Sequence, residues 1–374
     1  MVAFAGRATS FAKLQRRLGV RNPGQELRRA VPVYFYLFDV LRADGTDVRH
    51  PPLRERSLGD PGGGPAMTRE KLKAGRITVE LSNTAKVLFP QDGITKGDLV
   101  TYYQAVAGEM LPLLRDRPVS MTRFPDGITS HGIVQKNVPD YFPDWVTRVR
   151  VRKEGGSLQQ VVCDKPATIV YLANQACIEL HAFLSRLDRI DEPDQLIFDL
   201  DPPGGDRFGD VRVCALRLRE LLTGELGLPA FVKTTGGKGL HIHVPLNARE
   251  DFDGVREFAR RAAELLAARN PDLITTEQRK DKRGPRIYAD IMRNAYAQLA
   301  VAPYSVRARP GAPVATPLSW DELDDQGLRP GQFTLRTVPD RIRAADRAGG
   351  PWAGLARRRP GLARAHESLR RLAA

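Results

Sequence analysis

The 374-residue sequence is 42% hydrophobic and 27% charged, a composition typical of a soluble globular protein with two domains or subdomains. Its net charge of +14 suggests a polyanionic partner such as nucleic acid, although a solvated basic helix would also account for part of the charge. No apolar run approaches the roughly 18 residues of a membrane span, and the N-terminus lacks a signal peptide, so we expect a cytoplasmic, nucleoid-associated protein. The three widely spaced cysteines predict buried thiols, because they fit neither a disulfide framework nor a zinc site.

Four regions follow one another along the chain. Residues 1–58 contain one strand-like apolar run, and residues 59–75 are rich in Gly and Pro, which is typical of a linker. Residues 76–345 alternate between strand-like and helix-like segments, which predicts a mixed α/β (α+β) domain. Residues 346–374 form a basic, loosely packed tail, and residues 341–374 hold nine Arg against only two acidic residues.

Periodicity predicts the elements of the third region. The predicted strands cover residues 118–123, 168–172, 195–200, 230–233, 241–245 and 286–291. The predicted helices cover residues 96–114, 211–222 and 252–268. Thr95 stands at the position of an N-cap for the first helix.

The segment LIFDLDPP at 196–203 is the sharpest local feature. Side chains alternate along a strand, so Asp199 and Asp201 lie on one face while Phe198 and Leu200 enter the core. Two adjacent carboxylates repel each other, and a divalent cation such as Mg²⁺ or Mn²⁺ removes that conflict. The alternative is a pair of solvated acids at the end of a strand.

A Gly-rich segment, TTGGKGLHIH at 234–243, connects two predicted strands. Glycines allow backbone N–H groups to approach phosphate oxygens, and Lys238 adds a positive charge. The spacing is not that of a P-loop, and a strand follows instead of a helix. His241 and His243 share a face as core, phosphate-contacting or metal-binding residues. The alternative is an ordinary hairpin.

A third carboxylate, Asp290, interrupts an otherwise apolar strand. A metal shared with Asp199 and Asp201 would compensate its charge, and a salt bridge to a nearby Arg is the alternative. Basic residues in segments 278–283 and 302–307 could neutralise a triphosphate. Three carboxylates, a Gly/Lys turn and several cations are the parts that phosphoryl-type transfer requires.

The motifs FDLDP (198–202), TGGKGLH (235–241), DIMRN (290–294) and APYSVR (302–307) occur in the order found in one family. The chain resembles the polymerase domain of bacterial ligase D over residues 76–345. That family belongs to the archaeo-eukaryotic primase superfamily and works in non-homologous end joining. The resemblance implies a primase-polymerase core in which mixed sheets are flanked by helices in two subdomains.

The resemblance also implies roles for individual residues. Two metal ions, Mn²⁺ or Mg²⁺, would be held by Asp199, Asp201 and Asp290. The nucleoside triphosphate would contact His181, Thr235, Lys238, Gly239, His241, Arg283, Arg293 and Arg307. Most relatives have Ser at the position of Thr235. The segment LSNTAKVLFP at 81–90 is similar to one that recognises a downstream 5′-phosphate, with contacts from Asn83, Lys86 and Lys96. Other contacts to DNA would come from Arg123 and Lys136.

One departure from the family pattern concerns template DNA. Many relatives place adjacent phenylalanines where this chain has Ile133 and Val134. Aliphatic side chains cannot stack on a base, and such stacking contributes about 1–3 kcal/mol per base. Template handling should therefore be weaker or different, unless Phe124 or Tyr141 compensates.

Residues 1–58 carry a second resemblance, to an internal piece of the adenylation domain of ATP-dependent DNA ligases. It rests on VYFYLFDVL (33–41), DGTD (44–47) and PLRER (52–56). The segment with the nucleophilic Lys and the later ligase motifs are missing. We therefore predict no adenylation or ligation by this chain.

The predicted function is the addition of (ribo)nucleotides to 3′-hydroxyl ends at DNA breaks or gaps. The partners implied are 5′-phosphorylated DNA, nucleotides, and Ku with a separate ATP-dependent ligase. Two alternatives remain at this point. One is a DNA-end-binding scaffold with weak catalysis, and the other is a glycosyltransferase that uses Asp-x-Asp to bind a sugar nucleotide.

Overall fold

The computed structural model describes residues 69–345, 350–355 and 357–373, together with four short strands nearer the N-terminus. The chain divides into two compact units, residues 1–67 and 68–374. In the first unit, β1 (Ala3–Ala5) pairs antiparallel with β2 (Val33–Phe35), and β3 (Arg42–Ala43) pairs with β4 (Thr46–Asp47). The rest of the predicted ligase-like region, and residues 59–68 of the predicted linker, lie outside the described residues.

The second unit contains the remaining elements. Its strands are β5 (Arg69–Ala74), β6 (Ile77–Ser82), β7 (Val87–Phe89), β8 (Ile94–Thr95), β9 (Pro118–Arg123), β10 (Ile133–Gln135), β11 (Arg148–Lys153), β12 (Gly156–Val162), β13 (Cys177–Ala182), β14 (Ser185–Arg186), β15 (Arg189–Pro193), β16 (Gln195–Asp201), β17 (Phe231–Thr234), β18 (Leu240–Pro245), β19 (Ile274–Thr275), β20 (Ile287–Asp290), β21 (Ala300–Val301) and β22 (Pro317–Leu318). Its helices are α1 (Lys96–Leu114), α2 (Pro166–Asn174), α3 (Phe208–Arg219), α4 (Phe252–Arg269), α5 (Lys280–Arg283), α6 (Val338–Ala345) and α7 (Ala363–Ala373). No helix among the described residues is long and apolar enough to cross a membrane.

Two six-stranded sheets organise this unit. The first has the order β11-β12-β9-β13-β21, with β10 also paired to β9. The second has the order β19-β20-β16-β18-β17-β22, in which only the β19–β20 pair is parallel. Helices α3 and α4 pack against β16. The predicted mixed α/β fold class is confirmed.

Helix α1 begins and ends where the sequence predicted. Thr95 and Asp98 form a capping box in which each side chain bonds the backbone N–H of the other residue, at 3.1 and 2.8 Å. The buried Tyr103 hydroxyl donates to the carbonyl oxygen of Ile178 at 2.7 Å and accepts from the N–H of Val306 at 3.1 Å. These bonds join α1 to β13 and to the loop after β21.

Three predictions of local structure were wrong. Residues 69–74 of the predicted linker form strand β5, which pairs with β6. The strand predicted at 168–172 lies within helix α2, which begins at Pro166, a residue whose fixed φ suits the first helical turn. All residues of the helix after Pro166 are buried, so no polar positions mark its period. The loosely packed tail is also wrong for its last part, because α7 packs on α4 with Ala365 and Leu369 buried. The three cysteines are buried free thiols, as predicted.

Asn294 compensates for the short length of β20. That strand ends at Asp290, opposite Asp199, so it offers no backbone partner to Ile197 further along β16. The buried Asn294 side chain accepts from the N–H of Ile197 at 2.8 Å and donates to its carbonyl oxygen at 2.7 Å. The amide therefore replaces one residue of the missing strand.

Replacing Asn294 with Leu should lower the free energy of unfolding by about 2–4 kcal/mol, because two buried backbone groups lose their partners. Chemical denaturation followed by circular dichroism would measure this loss. Gln326→Leu, at an exposed position, is the control and should change stability by less than about 0.5 kcal/mol. An unchanged midpoint for Asn294→Leu would contradict the assigned role.

Candidate active site

Three carboxylates converge at the end of β16. Asp199 and Asp201 lie on one face of this strand, and Asp290 on β20 is the direct cross-strand partner of Asp199. One carboxylate oxygen from each residue lies within 4.8 Å of the other two. The structure therefore brings together the three acids that the sequence singled out.

This cluster of acids is electrostatically strained. Burial raises the pKa of Asp199 and of Asp290 above the ordinary value. Burial, with repulsion from these two neighbours, raises the pKa of Asp201 to about 6. Asp199 Oδ1 is buried and has no hydrogen-bond partner among the described residues. A hard divalent cation fits these oxygens, since it would compensate their charge and occupy the orphaned Oδ1.

A row of side chains crosses the sheet beside the acids. Asp290, Asp199, His241 and Lys233 are successive cross-strand partners on β20, β16, β18 and β17. His241 Nε2 lies 3.3 Å from Asp199 Oδ2. Burial lowers the pKa of His241 well below its usual value, which favours the neutral ring beside this carboxylate.

Lys233 is fully buried at the end of this row. Burial lowers its pKa to about 7, while Asp199 acts in the opposite direction. On the other side of Asp199, Arg293 Nε lies 3.8 Å from Oδ2. The Asp199 carboxylate thus has cationic groups on two sides, in addition to the neutral imidazole.

The Gly-rich turn between β17 and β18 borders the acids. Thr235 Oγ1 accepts from the N–H groups of Gly237 and Gly239 at 3.1 and 3.3 Å, and donates to the Gly239 carbonyl oxygen at 3.1 Å. A Cβ at Gly239 would lie 2.2 Å from the carbonyl oxygen of Leu200. Only glycine therefore allows the turn to lie against the strand that carries Asp199 and Asp201.

The opposite wall of the cleft comes from the first sheet. His181 on β13 pairs with Val301 on β21, and burial lowers the His181 pKa to about 4. Arg307 donates from Nε to Glu179 Oε1 at 3.0 Å and from Nη1 to the Thr235 carbonyl oxygen at 3.0 Å. These bonds fix the guanidinium between the two sheets.

The resulting polar cleft has a volume of about 230 Å³. Its lining residues are His181, Asp199, Asp201, Pro202, Thr235, Gly237, Lys238, His241, Arg293, Leu299, Val301, Arg307 and Arg309. Eight of these residues were predicted as metal or nucleotide ligands. The cationic side chains among them suit a triphosphate. Asp290 and Gly239, which were also predicted, are not among the lining residues.

Arg283 was predicted to contact the nucleotide but does not line the cleft. Its guanidinium lies 3.7 Å from the centre of the Tyr288 ring and donates to the carbonyl oxygens of Glu277 and Gln278. Cation–π stacking and local backbone bonds thus hold this Arg on the α5 segment beside the site.

The three residues predicted to bind a 5′-phosphate form a separate cluster. Backbone N–H groups of Lys86 and Lys96 donate to the carbonyl oxygens of Asn83 and Lys86, at 3.0 and 2.8 Å. Lys96 is buried, and burial with repulsion from Lys86 lowers its pKa to about 8. Lys86 Nζ lies 3.0 Å from Asp126 Oδ1. Two lysines therefore lie close together at the start of α1.

The two predicted DNA contacts lie on β9 and just after β10. Arg123 donates to Gln135 Oε1 and to the Tyr141 hydroxyl, both at 2.8 Å. Lys136 is exposed. Ile133 and Val134 are 51% and 65% exposed, so this departure from the family lies on the surface.

Three ionisable residues of the site were missed in the sequence, Lys233, Glu179 and Arg309, of which Arg309 lines the cleft. Lys233 is a lone charge in the strand FVKT, and Glu179 shares its strand with His181 at a spacing of two residues. Both have the signal that led to Asp290, an ionisable residue within an apolar strand. Their importance depends on cross-strand neighbours that belong to distant parts of the chain.

Comparisons with known proteins agree with this geometry. A family model described as LigD, primase-polymerase domain, matches residues 95–352. The bifunctional non-homologous end joining protein LigD of Bacillus subtilis is 32% identical over 266 residues, which cover 71% of this chain and 42% of that protein. The multifunctional non-homologous end joining DNA repair protein LigD of Mycobacterium tuberculosis is 33% identical over 279 residues, covering 72% and 36%. The chain thus spans less than half the length of these relatives.

A solved structure, the polymerase domain from Mycobacterium tuberculosis ligase D in complex with DNA, matches with a TM-score of 0.70 and 32% identity. The match covers 74% of this chain and 97% of that one. A probable DNA ligase of Koribacter versatilis is 44% identical over 52 residues, or 14% of this chain.

The family model and the ligase D relatives confirm the predicted resemblance and the predicted enzyme class, a nucleotidyltransferase of the primase-polymerase type. The roles of the individual site residues stay predictions. The chain belongs to the LigD primase-polymerase domain family.

Proposed function

We propose that this protein is a metal-dependent primase-polymerase that adds (ribo)nucleotides to 3′-hydroxyl ends at DNA breaks or gaps during non-homologous end joining. The observation that carries the proposal is the convergence of Asp199, Asp201 and Asp290 beside a cleft lined with Lys and Arg. Neither a scaffold nor a sugar-nucleotide site requires the whole arrangement.

The three aspartates would hold Mn²⁺ or Mg²⁺, two ions in all, which supply charge compensation for the attacking hydroxyl and the leaving pyrophosphate. The chain's own residues orient the nucleotide. Lys238, Arg293 and Arg307 line the cleft on different sides and would bind the triphosphate oxygens. Neutral His181 would donate or accept a single hydrogen bond without adding charge.

Removing the two acids of β16 should abolish nucleotide addition. We expect Asp199→Asn/Asp201→Asn to reduce the rate of primer extension on a gapped duplex with Mn²⁺ by about 100-fold or more. The variant would lose ligands of the metal ions, whose compensation of charge in the reaction contributes several kcal/mol. Asp253→Asn, at an exposed position of α4, is the matched control and should extend normally. Undiminished extension by the double variant would exclude the proposed catalytic centre.

Metal binding should also change the pH dependence of stability. The folded-state pKa of Asp201, about 6, lies above its ordinary value of 3.8, so without metal this carboxyl lowers stability as the pH rises from the ordinary value through the folded one. A bound cation favours the ionised form and offsets this loss. Mn²⁺ should therefore raise the melting temperature more at about pH 7.5 than at about pH 5.

Differential scanning calorimetry with and without Mn²⁺ would measure the rise in melting temperature at each pH. Asp201→Asn should reduce the difference between the two rises. Equal Mn²⁺ effects at the two pH values in the wild type would show that the ion binds elsewhere.

Recognition of the downstream 5′-phosphate is the second part of the proposal. Asn83, Lys86 and Lys96 would form its site, supported by the close approach of the two lysines at the N-terminal end of α1. Lys96 is buried and lacks a carboxylate partner among the described residues, so an anion would compensate its charge.

Lys96→Met should lower the preference for 5′-phosphorylated over 5′-hydroxyl gaps by about tenfold, which corresponds to one charge-assisted hydrogen bond of about 1.4 kcal/mol. Binding of the two duplexes, followed by fluorescence anisotropy, gives this ratio directly. Lys71→Met, an exposed lysine on β5, should leave it unchanged. A ratio equal to that of the wild type in Lys96→Met would place the phosphate elsewhere.

The remaining parts of the proposal concern the setting of the reaction. Residues 1–58 would be a remnant of a ligase adenylation domain without ligase activity, followed by the primase-polymerase domain and a basic tail. A separate ATP-dependent ligase would then seal the extended ends, and Ku would hold them. This work would take place on nucleoid DNA.

A further inference from the structure

A second cavity, of about 310 Å³, lies behind the polar cleft. It borders β16 at Gln195 and Ile197, on the face that carries the acids but at the opposite end of the strand. Val301 borders both spaces. The volume is large enough for a small organic molecule.

Most of the wall of this cavity is apolar. The apolar side chains are Pro112, Leu113, Ala182, Leu184, Ile197, Pro245, Ala300, Val301, Ala302, Pro303, Trp352, Ala353 and Leu355. Ala353 is exposed and Arg359 is partly exposed, so the cavity reaches solvent at this side. An apolar molecule could enter there.

The charges of the cavity largely compensate one another. Arg117 and Arg186 contact the Asp194 carboxylate at 2.5 and 2.7 Å, and Arg359 lies 3.9 Å from it. Glu109 also lies in the wall. The charged groups of the cavity wall therefore favour neither a strongly anionic nor a cationic ligand.

Two buried polar atoms of the lining residues have no hydrogen-bond partner among the described residues, Asp194 Oδ1 and His243 Nε2, and only Asp194 Oδ1 is in an ion pair, with Arg117. His243 is 2% exposed, and its Nδ1 lies 3.0 Å from Gln195 Oε1. An amide oxygen can only accept a hydrogen bond, so Nδ1 carries the proton and Nε2 is an acceptor. Nε2 has no partner in the part of the chain that the structure describes. The Trp352 ring lies 4.8 Å from the imidazole, centre to centre.

We propose that this cavity is a second ligand site, which binds a small, flat, largely apolar molecule whose O–H or N–H group donates to His243 Nε2. The molecule would pack beside Trp352 and displace weakly held water from the apolar wall. Because the site is separate from the acids, its occupancy requires neither metal nor nucleotide nor DNA.

The test is equilibrium dialysis of the full chain against 2-naphthol and against naphthalene, which lacks the donor. We expect one 2-naphthol site per chain. His243→Phe keeps a flat buried ring but removes the acceptor, so it should weaken 2-naphthol about tenfold, the value of one hydrogen bond of about 1.4 kcal/mol, and leave naphthalene unchanged.

Ala353→Trp, at the exposed rim, serves as a second variant that does not disturb the core. It should reduce the binding of both compounds by closing the entrance. Absence of 2-naphthol binding to the wild type, or equal 2-naphthol binding by all three proteins, would overturn the proposal. A wild-type protein that binds 2-naphthol but does not extend a primer would contradict only the proposed polymerase function.

Discussion

Concentrated negative charge in a buried cleft is the constraint on which the site depends. Asp199 and Asp201 are two residues apart on one face of β16, and Asp290 is opposite Asp199 on β20. Each of them is harder to ionise than a free carboxyl because burial removes water, and repulsion from neighbouring carboxylates adds to this effect for Asp201 and Asp290. Arg293, Lys233 and Arg307 act against this penalty at Asp199, because their charges lower its pKa.

The compensating groups come from both sides of β16. His241 and Lys233 continue the cross-strand row beyond Asp199, and Arg293 approaches from the segment after β20. Burial favours the neutral form of His241, whose Nε2 lies 3.3 Å from Asp199 Oδ2, and the buried Lys233 lowers the pKa of Asp199 at longer range. Asp199 is thus oriented by the sheet itself, while one of its oxygens remains available to a cation.

Local structure could be predicted from the sequence where it depends on residues close together in the chain. Alternation along β16 placed Asp199 and Asp201 on one face, and Thr95 marked the start of α1 correctly. The strand predicted at 168–172 failed because a helix buried on all sides shows no period. Lys233 was missed for a different reason, since its relation to Asp199 depends on the register of three strands, which single-sequence patterns do not contain.

Register also explains why Arg283 and Arg293, two predicted nucleotide contacts, lie in different places. Arg283 precedes β20 and stacks on Tyr288, whereas Arg293 follows the same strand and reaches Asp199. Both looked like triphosphate contacts in the sequence. A strand of four residues between them separates the two guanidinium groups, and only the later one lines the cleft.

Side chains around β10 are also held by partners from other segments of the chain. Ile133 and Val134 expose aliphatic side chains, which cannot stack on bases as aromatic rings do. Arg123 bonds both Gln135 at the end of β10 and the hydroxyl of exposed Tyr141. The Tyr141 ring also packs edge-on against Phe142, with ring centres 5.3 Å apart, so an exposed aromatic is held in place beside the aliphatic strand. Compensation by Tyr141 for the aliphatic pair stays a prediction from the sequence.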